Sequence, residues 1–431
     1  MKGRTNITDG IFLNATTEQK TIKSGETIVA GDFVEYETIS DAITLKTGLT
    51  NPTQPYVLQK YDTNNFVFVC NGVLYAVTFD GENAQIIASY DEYNIAEVKP
   101  LTTSKFVVAI ANSSTYIAGT LILTSNGFTV ESLASNGSTS SLQLGYPIYI
   151  DINESNVTFI SSDSSYDNFY YLQYTNNTIS YVAQSDVLFQ YTDYKYSITK
   201  ANNVLYKLCA KKSSYGSTSG TPQLYQIAIN YSSHTATETL LVSGSASTVG
   251  SPRYIDNVRA CNNKIIGVGY DYVSGSYVCN NLIVADLSTD SPLLSTHNLK
   301  TIYGVTSSTT FNVCRIENID NEHFVSNAHS SNRTHTVILD YNIDLVSNVE
   351  THQASDYGTM AYIEGDVFGI KCGTNMILTF LDVTDNLSVL TAPTSKEIVS
   401  RWRGTNKPIG VAKDGGTGGD TISVYIPSSQ Y

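Results

Sequence analysis

Short stretches in which apolar and polar residues alternate recur along the whole chain, separated by clusters of Ser, Asn, Gly and Asp. No long stretch repeats its apolar residues with a helical period, so the pattern predicts β-strands throughout. Seven pairs of strands stand out. One member of each pair, read as the inner strand, centres on 66–69, 106–110, 157–161, 204–208, 265–269, 324–327 and 367–370. The partners centre on 74–79, 120–124, 170–174, 224–229, 282–286, 336–341 and 377–382. Partner strands recur every ~40–60 residues, near the repeat length of four-stranded propeller blades. A further turn and strand follow most partners, as in Gly127–Glu131 and Asn177–Tyr181. Seven separate meanders would expose edges and apolar faces, and radial closure removes both. The pattern therefore predicts an all-β chain with a seven-bladed propeller (six to eight blades) over 56–394; a series of sandwiches or a β-prism is the alternative.

The two ends carry the same phrase. Ala30-Gly31-Asp32-Phe33-Val34-Glu35-Tyr36 and Gly418-Gly419-Asp420-Thr421-Ile422-Ser423-Val424-Tyr425 each read as a Gly-Asp turn feeding an alternating strand. In a closed ring the entry and exit are neighbours. Residues 1–55 and 395–431 are thus expected to build one small β-barrel or sandwich, with the propeller as an insertion.

Composition sharpens this picture. Of 431 residues, 41% are hydrophobic, enough for a core, but only 15% are charged, against roughly 25% in an average globular protein. Ser, Thr, Asn and the 31 Tyr must supply most of the polar surface. The net charge of −14 disfavours nucleic acid and anionic membrane surfaces. No apolar stretch reaches the roughly 20 residues needed to span a bilayer, and Met1–Asn6 opens without the apolar core of a secretion signal. Cys70, Cys209, Cys261, Cys279, Cys314 and Cys372 lie singly, mostly in apolar runs, and are expected to be unpaired buried thiols.

Catalytic signatures are missing. Ser161–Asp167 lacks the Gly and Trp of the sialidase Asp-box, and the Trp-Asp and Gly-Gly repeats of WD40 and kelch propellers are absent. His323, His329 and His335 fall at spacings of six, but a turn between them predicts two strands and no metal site. Asp151, Asn153, Glu154 and Asn156 have calcium-ligand composition without a calcium-loop spacing, and read as a turn. Asp414–Asp420 is glycine-rich but precedes a strand, so it reads as a hairpin connection and not a phosphate cradle. No catalytic residue, metal or cofactor is expected. Tyrosines are the one surface feature with a binding rationale, since rigid Tyr among Ser, Gly and Asn suits recognition surfaces. With Phe169 among them, they cluster at Tyr166, Tyr170, Tyr171, Tyr174, Tyr181, Tyr191, Tyr194 and Tyr196. Tyr166, Tyr170, Tyr191 and Tyr194 are the candidate ligand contacts.

The segments Gly410–Pro427, Met1–Asn6 and Thr27–Val34 resemble small β-barrel modules of bacteriophage and prophage virion proteins, of the head-fibre or tail-fibre type. The likeness covers about 60–80 residues at the two ends, and the central repeats match none of the standard propeller signatures. It implies a structural protein on the virion surface, assembled in the host cytoplasm. The barrel would dock on other virion proteins and the propeller would attach to a host cell-surface glycan. Arg401, Trp402 and Arg403, a basic and aromatic cluster in an acidic chain, are the candidate docking residues; Lys396 and Lys407 lie nearby. A homo-oligomer follows from the avidity of fibres, and the resemblance points to a trimer. The rival readings are a glycan-degrading tail-spike enzyme, a capsid decoration protein that binds no receptor, and a bacterial adhesin.

Overall fold

The strand Lys105–Ile110 has two apolar faces. Phe106, Val108 and Ile110 point to one side and Val107 and Ala109 to the other, and none is more than 1% exposed. The first set packs with Val67, Val69 and Leu74, the second with Ile148, Val157 and Phe159. A strand buried on both faces must lie between two other sheets. The computed structural model describes residues 15–38, 43–46, 57–62, 65–79, 84–113, 115–135, 142, 148–162, 166–188, 198–212, 219–245, 251–273, 275–289, 291–306, 308–330, 333–347, 350–353, 362–363, 367–372, 375–382, 388–390, 394–404 and 408–427. Within these residues the two-sided packing is repeated around a ring.

Six antiparallel four-stranded blades span 57–90, 95–135, 148–188, 198–243, 254–298 and 313–353. A seventh sheet, in 362–390, takes Ile43–Lys46 as a fifth strand, and its first strand, Tyr362–Ile363, lies beside Val57–Asp62 of blade 1. The chain is an all-β propeller. Each pair of neighbouring blades from 1 to 6 shares its own apolar layer. One four-residue helix, Leu299–Ile302, follows blade 5, and Leu299 and Ile302 pack into the layer between blades 5 and 6.

The ring corrects one assignment. First strands of the blades meet near the axis and last strands meet at the rim. The strands read as inner, such as Asn65–Cys70 and Lys105–Ile110, are therefore second from the axis. Apolarity marks burial on both faces rather than nearness to the axis. The true innermost strands, such as Ile95–Pro100 and Tyr254–Cys261, are more polar.

Local chemistry sets the turns and edges. Asn71-Gly72, Asn176-Asn177 and Asn202-Asn203 form two-residue hairpins with positive φ at both positions, where Asn and Gly are least strained. In blades 1–4 the last strand gains one residue against its partner, at Ile87, Glu131, Val182 and Leu241. Such bulges twist an exposed edge away from further pairing.

The chain divides into two compact units, Met1–Ile43 with Thr391–Tyr431, and Thr44–Leu390. The divisions fall at 43/44 and 390/391, against the expected 55/56 and 394/395. In the first unit, strands Ala15–Ile22, Thr394–Arg401, Phe33–Thr38, Gly410–Ala412 and Thr421–Pro427 close a barrel in that spatial order. Ile22, Ile28, Val34, Val399, Ala412, Ile422 and Val424 fill it. The repeated phrase is a repeated turn. Asp32 N donates to Val29 O (3.0 Å) and Asp420 N to Thr417 O (2.9 Å), with Gly31 at φ 89° and Gly419 at φ 91°. Each Asp carboxylate then accepts from the backbone N three residues back, Val29 at 3.0 Å and Thr417 at 2.7 Å. This is a turn with Gly at its left-handed third position, locked by its fourth. Gly31 also bonds Ala412 O and Gly419 bonds Ile22 O, both at 2.8 Å, so two similar halves grip one another.

Phe106 meets Tyr61 edge-on at 5.1 Å and Phe128 at 5.8 Å. Phe106→Ala should cost the propeller about 3–5 kcal/mol in urea unfolding. A loss under about 1 kcal/mol would mean that the layer between blades 1 and 2 is not held by this ring.

Candidate functional site

The inner strands carry charges that clasp neighbouring blades. Lys200 Nζ of blade 4 donates to Asp151 Oδ1 of blade 3 (2.8 Å), and Tyr231 OH donates to Asp151 Oδ2 (3.3 Å). Lys99 of blade 2 donates to Ile150 O (3.0 Å) and stands 5.3 Å over the Tyr149 ring. Arg259 of blade 5 forks onto Glu317 of blade 6 at 3.1–3.3 Å, and Arg315 of blade 6 reaches back to Asp256 at 3.3 Å. Burial works against the Arg259 charge and Glu317 more than offsets it. Burial lowers the pKa of Lys99. Burial pushes the Glu97 carboxyl well up, against the opposing pull of the Val98 N–H, Lys99 and Arg259. This rim holds blades together and places near the axis a carboxyl whose pKa burial raises.

A second cluster is aromatic and exposed. Tyr272 and Tyr277 flank the hairpin of blade 5, are 42% and 41% exposed, and meet edge-on at 5.2 Å. The Arg253 guanidinium lies 4.8 Å from the Tyr272 ring centre and 5.2 Å from that of Tyr277. Behind them Tyr254 contacts Tyr277 at 5.2 Å and stacks on Tyr270 at 4.7 Å. A rigid stack with an arginine on it presents apolar ring faces and donors side by side, which suits a neutral, hydroxyl-rich ligand.

The barrel carries the third cluster. Trp402 and Phe33 are 37% and 41% exposed, meet edge-on at 5.9 Å, and are tied by Trp402 N donating to Phe33 O at 2.8 Å. Arg401 pairs with Asp32 at 3.3 Å, and Arg403 pairs with Glu26 while its backbone N donates to Glu35 Oε1 at 3.3 Å. The three candidate docking residues thus share one edge of the barrel. Lys396 has no described side chain, and Lys407 lies outside the described residues.

The tyrosine candidates fare differently. Tyr170 is 5% exposed and packs with Val157, Phe159 and Leu172 between blades 2 and 3, so its placement on a binding surface is corrected. Phe169 and Tyr171 face the opposite layer, between blades 3 and 4. Alternation exposes half of a strand only when one face meets water, and here both faces are covered. Tyr166 pairs with Leu188 in the ladder, but its side chain is not described; Tyr191 and Tyr194 lie outside the described residues. Tyr272 and Tyr277 were missed, although two tyrosines flanking a Val-Ser-Gly-Ser turn are a readable signal.

His323 pairs with Asp320 (2.9 Å), whereas His329 and His335 are buried, His335 beside Ser330 Oγ (3.1 Å). Among the described residues no group of three or more His, Cys, Asp and Glu side chains can hold a metal ion. Cys70, Cys209, Cys261, Cys279 and Cys314 are buried and unpaired with one another. Asp151 belongs to the inner rim, and Glu154 sits in a hairpin turn at φ 55°. Among the described residues no helix is long and apolar enough to cross a membrane.

No family model and no curated protein matches the chain. Solved structures resemble its fold at low identity. Hydrazine synthase of Kuenenia stuttgartiensis is 10% identical over 78% of this chain and 97% of that one, with TM-score 0.49. The WD40 propeller domain of Doa1 is 13% identical over 82% and 99%, with TM-score 0.47. A functionally unknown protein of Desulfotomaculum acetoxidans is 11% identical over 85% and 100%, with TM-score 0.46.

The Arg259–Glu317 fork should couple. A double-mutant cycle with Arg259→Met and Glu317→Gln is expected to give about 1–3 kcal/mol in unfolding. Additive effects, within about 0.3 kcal/mol, would show that the fork does not clasp blades 5 and 6.

Proposed function

We propose that this is a non-enzymatic virion surface protein, a fibre or appendage component of a bacteriophage. Its barrel docks on other virion proteins and its propeller attaches to a host cell-surface glycan. The observation that carries the attachment reading is the exposed Tyr272–Tyr277 pair with Arg253 stacked on both rings. Sugars present C–H faces and hydroxyls, and such a platform meets both without chemistry. The docking reading is supported by the Phe33–Trp402 edge with Arg401 and Arg403 beside it, on a barrel built from both chain ends. Single platforms bind weakly. A homo-oligomer, a trimer in this reading, raises attachment by about 10²–10⁴ through avidity.

Tyr272→Ala with Tyr277→Ala should lower adsorption of the protein to its host cells at least tenfold and leave the melting temperature within about 2 °C, since both rings are surface-exposed. Adsorption at the wild-type level would remove the platform from the account. The same assay reads out chemistry. Intact host glycan after incubation supports attachment alone. Release of oligosaccharides that stops in Glu97→Gln would instead make the protein a glycan hydrolase with Glu97 as its acid.

In a second experiment, Trp402→Ala with Phe33→Ser should leave a folded protein that no longer enters particles. Wild-type incorporation would show that docking lies elsewhere.

A further inference from the structure

The layer between blades 3 and 4 is apolar, yet among the described residues three charged side chains enter it. Asp167 follows the period of Phe169 and Tyr171, Lys207 that of Leu205 and Cys209, and Glu238 that of Ala236, so all three point into the same layer. Lys207 and Asp167 side chains are 1% exposed and that of Glu238 is 3% exposed. Lys207 Nζ is in direct contact with Asp167 Oδ2, and Glu238 Oε1 stands 3.8 Å from the same nitrogen. Neither Glu238 oxygen makes a hydrogen bond. Two carboxyls for one ammonium, sealed from water, form a poor structural ion pair, because one acid is left unsatisfied.

We propose that this triad is a self-modifying site, at which Lys207 and Asp167 join through an intramolecular amide bond with Glu238 as the general acid–base. The starting pair is an ammonium and a carboxylate: burial opposes the Lys207 charge, but Asp167 and Glu238 hold its pKa up. Proton transfer from Lys207 to Asp167 gives an amine and a carboxylic acid with no change in net charge, and burial, which penalises both ions, lowers the cost of reaching that neutral pair. The Nζ lone pair then attacks Asp167 Cγ. Burial pushes the Glu238 carboxyl up, which suits it to hold a proton beside the pair. It gives that proton to the departing hydroxyl and recovers one from the nitrogen. One C–N bond forms, one C–O bond breaks, one water leaves, and Glu238 ends as it began. No oxidant, reductant or second substrate is consumed. Cys209, the neighbouring nucleophile, does not compete, because burial pushes its thiol up to about 12. The bond would staple blade 3 to blade 4 across the layer they share.

The test is the intact mass of the full-length, denatured protein. The wild type should weigh one water less than its sequence, and proteolysis should yield a branched peptide joining Lys207 to Asp167. Lys207→Arg and Glu238→Gln should both keep the full mass, with circular dichroism showing that Glu238→Gln retains its β-structure. Asp167→Asn should still branch, expelling ammonia in place of water. A wild type at full sequence mass would overturn the proposal. So would a water loss that survives in Lys207→Arg, which would place the dehydration elsewhere. Branching in Glu238→Gln at the wild-type rate would overturn the role given to Glu238.

Discussion

Burial of both faces of each blade is the constraint on which the propeller rests. A strand such as Lys105–Ile110 cannot leave either side in water, so every sheet needs a neighbour on each side. A row of sheets meets that need everywhere except at its ends, and a ring has none. Tyr362–Ile363 beside Val57–Asp62, with Ile43–Lys46 added to the seventh sheet, closes it. Polar chemistry is then displaced to the inner rim, where it clasps the blades, and to the hairpins and outer edges, where it meets solvent.

The same constraint explains what could be read from the chain. The repeats were legible because two-sided burial makes conspicuous apolar runs. Their radial order was not, because apolarity does not measure distance from the axis: Phe106 is second from it, while Glu97 and Lys99 lie on the strand nearest it. Tyr170 was misplaced for the same reason, since alternation signals an exposed face only in a one-sided sheet. The Gly-Asp phrases read well because turn chemistry is local. Gly31 and Gly419 adopt the positive φ, and Asp32 and Asp420 lock the turn, whatever surrounds them.

The sites were harder to see, because they are built from residues far apart in sequence. Arg253 meets Tyr272 and Tyr277 only through the register of blade 5, and Lys207 meets Asp167 only because blades 3 and 4 share a layer. Even so, a lysine in the apolar run Val204-Leu-Tyr-Lys-Leu-Cys209 was a visible anomaly. A buried charge in such a run calls for a partner from elsewhere. The barrel joins the two ends of the chain into one unit, and that organisation is what separates docking from attachment in the proposed division of labour.

The proposal puts the protein on the outside of a particle, and the most direct measurement is immunogold electron microscopy of purified virions with antibodies raised against the propeller. The account predicts gold on the outer surface of intact particles, at the head or the tail. Particles without label, from a preparation in which mass spectrometry also finds none of this chain, would contradict it.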